Sequence, residues 1–123
     1  MSAADPIQDS VALAERIAAI AADKKAIDIR VIDLRGIVSY TDFFVIASGN
    51  TERQAKSIHD AIYEELKHDG DKRLLPRRTE GGREARWILL DYWDVVVHIF
   101  TPDAREYYRL ENLWGEAPAR SVG

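Results

Sequence analysis

Two short apolar runs around a four-residue break constrain this chain most. They read Trp87-Ile88-Leu89-Leu90, then Asp91-Tyr92-Trp93-Asp94, then Val95-Val96-Val97-His98-Ile99-Phe100. The runs are too short for helices, and the second is rich in β-branched residues, so the pattern predicts two strands. The second run is apolar on both sides: Val95, Val97 and Ile99 alternate with Val96, His98 and Phe100. A strand buried on both faces belongs inside a sheet covered by helices. The break then sits at the end of a rigid scaffold, carrying two carboxylates and two large aromatics. With Tyr92-Trp93 as a two-residue turn, Trp87 falls opposite His98 and Leu89 opposite Val96.

The rest of the chain supplies the covering layers. Val11, Ala14, Ile17, Ala18 and Ala21 recur at helical spacing and predict a helix from about Asp9 to Lys24. Ile27 to Leu34 alternates as a strand with one wetter face, and Phe43 to Ala47 is apolar throughout. Ser48-Gly49-Asn50-Thr51 then turns the chain into a second helix, capped by Asn50 or Thr51. Ala55, Ile58, Ile62 and Leu66 form its stripe, and Gly70 stops it. Arg73 to Pro76 is expected to be a short edge strand, because proline cannot donate within a central one. Glu80-Gly81-Gly82-Arg83 reads as a loop. Thr101-Pro102 starts a last helix with the stripe Tyr107, Leu110 and Trp114, ended by Gly115. A length of 123 residues suits one domain. The expectation is a flexible arm over 1–8, one α/β domain over 9–115 with a mixed sheet flanked by helices, and a flexible tail over 116–123.

Composition removes several classes of function. Cysteine is absent, which excludes disulfides and thiolate chemistry and suits a reducing cytoplasm. No apolar stretch is long enough to span a bilayer, and the N-terminus has neither signal nor transit character. The net charge is −4, the wrong sign for a protein that lives on phosphates. The charge is uneven, however. Lys72, Arg73, Arg77, Arg78, Arg83 and Arg86 face only Asp71, Glu80 and Glu84 between 71 and 86, a local +3 that leaves −7 for the remainder. That segment reads as a solvated loop or as an edge touching nucleic acid.

The histidines, His59, His68 and His98, fail on metal-ligand spacing. A satisfied ring beside an indole is the expected state of His98. Asp91 and Asp94 flank the turn, and paired carboxylates at a strand end can hold Mg²⁺. Ser48-Gly49 before a helix could receive a phosphate. Together they suggest nucleotidyl transfer only faintly, since each is also ordinary turn chemistry. Tyr92 and Trp93 are more informative. Large aromatics beside acids at a turn suit a partner that offers apolar surface rimmed by Lys or Arg. Partner binding is therefore assigned to Trp87, Asp91, Tyr92, Trp93 and Asp94, with no catalytic residue and no metal ligand.

Three segments carry a resemblance. They are Asp33-Leu34-Arg35-Gly36 followed by Ser39-Tyr40-Thr41-Asp42-Phe43-Phe44-Val45-Ile46-Ala47-Ser48-Gly49, then Arg86 to Tyr92 with Asp94 to Phe100, then Tyr107-Tyr108-Arg109-Leu110-Glu111-Asn112-Leu113-Trp114. Over residues 10 to 115 the chain resembles the ribosomal silencing factor family, RsfS, also called Iojap-like. The resemblance implies a nucleotidyltransferase-like fold without transfer activity and without a cofactor. It implies binding to the large ribosomal subunit through its ribosomal protein fourteen, which blocks joining of the small subunit and represses translation under nutrient limitation. It also implies a homodimer when free and at most a minor contact to ribosomal RNA. A metal-dependent nucleotidyltransferase and an RNA-binding module are the alternatives. The family usually has Gly where this chain has Trp93, and Gly tolerates the positive φ of a tight turn more readily than Trp.

Overall fold

Every residue of two strands, β2 (Phe43–Ser48) and β5 (Val95–Phe100), is buried, and the two pair in parallel at the centre of the sheet. The computed structural model describes residues 6–71 and 74–122. Around the central pair lie α1 (Pro6–Asp23), β1 (Ile27–Asp33), α2 (Glu52–His68), β3 (Arg78–Glu80), β4 (Trp87–Asp91), α3 (Pro102–Tyr108), a 3₁₀ turn (Leu110–Trp114) and β6 (Ala119–Val122). The strand order is β3-β4-β5-β2-β1-β6, and every pairing but the central one is antiparallel. This is the α/β mixed sheet that the sequence predicts.

The alternation of β5 divides the core in two. Val95, Val97 and Ile99 face α1 and α2, where Ile17, Ala18, Ala21, Ala55, Ile58, Ile62 and Leu66 are buried against them. Full burial of one such Ile or Leu side chain contributes about 1.5–3 kcal/mol, so this face carries most of the apolar stabilisation. Val96 and Phe100 face the other way, with Ile32, Leu34, Phe44, Ile46, Ala104 and Ala117. Trp87, Leu89, Leu110 and Trp114 pack there only half-buried. The second face is therefore the thinly covered one.

Local chemistry sets the helix ends. Thr51 caps α2, its hydroxyl accepting from the Gln54 N–H at 3.1 Å. The Gln54 side chain in turn accepts from the Asn50 N–H at 2.9 Å and donates to the Lys25 carbonyl at 3.0 Å, tying α2 to the end of α1. Gly70, at φ +76°, follows the α2 C-cap Asp69, as the stop signal requires.

Several boundaries differ from expectation. The edge strand is Arg78–Glu80; of the expected strand Arg73–Pro76, Arg73 lies outside the described residues and 74–76 form no strand, since Pro76 has no N–H to give and the ladder starts beyond it with the Arg77 N–H on the Asp91 carbonyl at 2.8 Å. The α1 helix begins at Pro6, inside the expected arm, of which residues 1–5 lie outside the described residues. The last helix stops at Tyr108, because Arg109 turns left-handed at φ 47° and a separate 3₁₀ turn follows. Residues 119–122, expected in a flexible tail, form β6 on the open edge of β1, with an Arg120–Glu15 ion pair to α1.

The β4–β5 register is also shifted by two. Trp87 lies opposite Phe100, and Leu89 opposite His98. The turn residues are Trp93-Asp94, not Tyr92-Trp93: the Tyr92 N–H donates to the Val95 carbonyl, and the Asp94 N–H to the Tyr92 carbonyl, both at 2.9 Å. Trp93 takes φ 72°, the conformation that Gly adopts freely. A shift of two preserves every residue's face, so the inside–outside pattern survives.

Candidate functional site

The hairpin tip separates the four residues of the break into two kinds. Trp93, 54% exposed, and Asp94 face solvent, whereas Asp91 and Tyr92 are buried at 2% each. One oxygen of Asp91 accepts from the Trp93 N–H at 2.9 Å, and the other accepts from Arg77 Nε at 2.9 Å. Arg78 approaches the same carboxylate at 3.7 Å. The Arg77 guanidinium then lies 4.3 Å from the centroid of the Trp93 ring. Asp91 is thus a buried brace for the turn, holding Arg77 and Arg78 by charge. Tyr92 points into the first core beneath α2, where its hydroxyl finds no hydrogen-bond partner and burial pushes its pKa upward. Both of these residues, expected from the sequence in a contact surface, are thus buried in the folded chain. What the sequence missed is that Arg77, fourteen positions away, would claim the carboxylate.

Trp87 starts β4, at the other end of that strand from the tip, so the structure does not bring it together with Trp93 and Asp94. It belongs to a different cluster, on the thinly covered face. Its ring lies 4.5 Å from that of Tyr108 and 5.0 Å from that of Phe100, and Tyr107 packs edge-on against Tyr108 at 5.0 Å. Its Nε1–H donates to Nδ1 of His98 at 3.0 Å. Phe100 and His98 are buried, but Tyr108 is 51% and Tyr107 81% exposed. Half-buried Leu89 continues the strip along β4. The result is an open aromatic surface laid on a rigid strand. Tyr107 and Tyr108 had no signal of their own in the sequence, where Tyr107 reads as part of a buried stripe; the break at Arg109 is what turns them out.

Ser48 and Asp91, two of the groups that suggest nucleotidyl transfer, are engaged by the protein itself. Ser48 Oγ accepts from Arg105 Nη1 at 2.9 Å, and Arg105 forks onto Glu111 at 2.8 and 3.1 Å. That pair holds the Glu111 carboxyl below the usual range and leaves the serine engaged by the protein itself. Gly49 has a packing reason: a Cβ there would sit 2.6 Å from the Ala55 backbone nitrogen, where β2 turns tightly into α2. The Asp91 oxygens are already taken by Trp93 and Arg77. Among the described residues no group of three or more His, Asp or Glu could hold a metal ion, and no helix is long and apolar enough to cross a membrane.

Comparison with known proteins covers nearly the whole fold. The family model described as "Ribosomal silencing factor during starvation" matches residues 7–122. The ribosomal silencing factor RsfS of Bacillus subtilis is 44% identical over 104 residues, 84% of this chain and 86% of that one. A mouse protein named mitochondrial assembly of ribosomal large subunit protein 1 is 35% identical over 94 residues, 74% of this chain and 40% of its own length. A solved structure from Chromobacterium violaceum superposes with a TM-score of 0.77 at 32% identity, covering 97% of this chain and 95% of that one.

Proposed function

This chain belongs to the ribosomal silencing factor family, RsfS, and from that premise we propose that it binds the large ribosomal subunit and keeps the small subunit from joining. The partner we propose is ribosomal protein fourteen of the large subunit. The carrying observation is the open aromatic face formed by β4 and the end of α3, with Trp87 and Tyr108 in contact at 4.5 Å. Aromatic side chains held on a rigid strand contribute large area at small entropic loss, which is what interface hot spots use. The −7 carried outside residues 71–86 complements a basic ribosomal protein. The large-subunit name of the mouse relative supports the large subunit as the target.

The mechanism needs binding area and no bond-making residue. A protein seated where the small subunit docks excludes it by mass action, in proportion to its occupancy. In this reading Trp87 is an anchor, joined by Tyr108. Trp93 and Asp94 form a second point of contact at the hairpin tip, with Asp91 and Tyr92 supporting it from inside. Exposed Arg83 and Arg86 supply the minor contact to ribosomal RNA. The protein acts in the cytoplasm, is a homodimer when free, and performs no nucleotidyl transfer.

Co-sedimentation with purified subunits is the test. The protein should travel with isolated large subunits and not with small ones, and pre-loading should reduce formation of joined ribosomes. Equal binding to both subunits, or binding to bare RNA that falls steeply with salt, would instead indicate an RNA-binding module.

A further inference from the structure

We propose that His98 is a positioning residue, whose bare Nδ1 holds the Trp87 indole in the orientation that the aromatic surface presents. The proposal rests on the reading of that surface as partner-binding, but its first half can be tested without any partner. An indole Nε1 only donates. At 3.0 Å from it, Nδ1 of His98 must therefore accept, which places the ring proton of the neutral imidazole on Nε2. That nitrogen is buried without a hydrogen-bond partner, and the Phe44 ring packs edge-on against the imidazole at 4.6 Å. One tautomer is thus selected by geometry alone.

The arrangement also depends on the ring staying neutral. Protonation would set an Nδ1–H against the indole N–H, two donors face to face, and the tether would fail. The surroundings oppose that outcome. His98 is paired across the sheet with Leu89 on β4 and Ile46 on β2, and packed among the rings of Trp87, Phe44 and Phe100, none of them charged. Asp91 is the charged group that acts on it, and its pull towards the protonated form is the smaller effect. Burial dominates and brings the pKa down to about 4. The tether is therefore intact at neutral pH and is lost only in acid.

A tether of this kind matters because Trp87 is only half-buried, at the start of its strand. A free indole must be ordered when a partner arrives; one already held by His98 is pre-ordered. Leu89 and Phe100, which pack beside Trp87, have no acceptor to offer.

The experiment reads the His98 ring nitrogens and the Trp87 indole N–H by NMR in the intact chain, then large-subunit binding of variants. The expected result is a bare Nδ1 and a protonated Nε2 at pH 7, a slowly exchanging Trp87 indole proton, and movement of that resonance as His98 titrates in acid. His98→Phe keeps the apolar packing and should speed indole exchange and weaken large-subunit binding by about 3- to 10-fold. His98→Asn, whose Oδ1 stands where Nδ1 stood, should recover part of both. A proton on Nδ1 at neutral pH overturns the proposal, as does unchanged indole exchange with unchanged binding in His98→Phe. Should the Phe variant not fold, the wild-type spectra and the Asn variant decide it. Absence of large-subunit binding by the wild type, with the tautomer and exchange as expected, would overturn the surface reading and leave the tether standing.

Discussion

Arg77 lies 4.3 Å over the Trp93 ring while its Nε donates to Asp91 at 2.9 Å, so one guanidinium both covers the exposed indole and neutralises the buried acid beneath it. Asp91 completes the arrangement by accepting the Trp93 N–H. These contacts explain how a bulky residue occupies a left-handed position that glycine would take without strain. The hairpin tip is held by a triangle of side chains rather than by turn propensity.

Trp93 should therefore show strain that glycine relieves. Relief of the left-handed conformation is worth about 1–2 kcal/mol, and the extra freedom of an unfolded glycine takes back roughly 0.5–1 kcal/mol. Both Trp93→Gly and Trp93→Ala lose the stacked Arg77. Urea unfolding should place the Gly variant above the Ala variant by on the order of 0.5–1 kcal/mol. An Ala variant equal to or more stable than the Gly variant would show that the turn stores no strain.

Tyr92 should behave as core. Tyr92→Ala opens a cavity beneath α2 and should destabilise by about 3–5 kcal/mol. Tyr92→Phe removes a buried hydroxyl that has no partner, so it should be neutral or stabilising by up to about 1 kcal/mol. A clear loss of large-subunit binding in a stably folded Tyr92→Phe variant would contradict the buried placement.

Gly81 guards the register of β4. Its φ is +81°, and a Cβ would lie 1.9 Å from the Trp87 carbonyl oxygen, a clash with backbone that cannot swing aside. Gly81→Ala should destabilise by on the order of 2–3 kcal/mol or more. Because the atom displaced belongs to Trp87, ribosome binding should fall further than occupancy of the folded state accounts for. Gly82→Ala, with nothing within 4 Å of its Cβ, is the control.

Stability should depend on pH through His98. Its folded pKa, about 4, lies below the ordinary 6.5, so the unfolded chain binds more protons between those values. Stability then rises with pH across that window and falls on acidification from 6.5 towards 4. The full effect is on the order of 3 kcal/mol. Denaturant titrations at pH 4, 5.5 and 7 measure it, and His98→Phe should flatten the profile over this range.

Binding should separate the two aromatic groups. Truncating Trp87 or Tyr108 to Ala should weaken large-subunit binding by on the order of 2 kcal/mol. Tyr108, being exposed, should do so with stability within about 0.5 kcal/mol of wild type. Normal binding by Tyr108→Ala, alone and with Tyr107→Ala, would move the contact surface to the hairpin tip, where Trp93→Ala and Asp94→Ala would then carry the loss.

Much of the molecule was legible because burial imposes a period. The alternation of β5, the Ala55-Ile58-Ile62-Leu66 stripe, the Thr51 cap and the Gly70 stop all follow from which side of a local element meets the core. The proximity of Trp87 to His98 also survived, although the register is shifted by two, because that shift preserves faces. Family resemblance was equally a property of the sequence, and the comparisons bear it out.

What only the tertiary structure decided are contacts between residues far apart in the chain. Nothing local says that Arg77 will reach Asp91, that residues 119–122 will complete β1, or that Arg105 will engage Ser48 across 57 positions. Nor does helical spacing reveal that Arg109 ends α3 early and turns Tyr107 and Tyr108 outwards. The reason is physical: periodicity reports which face of an element is buried. Which acid stays open to a partner and which is buried beneath a guanidinium depends on the packing of the whole sheet.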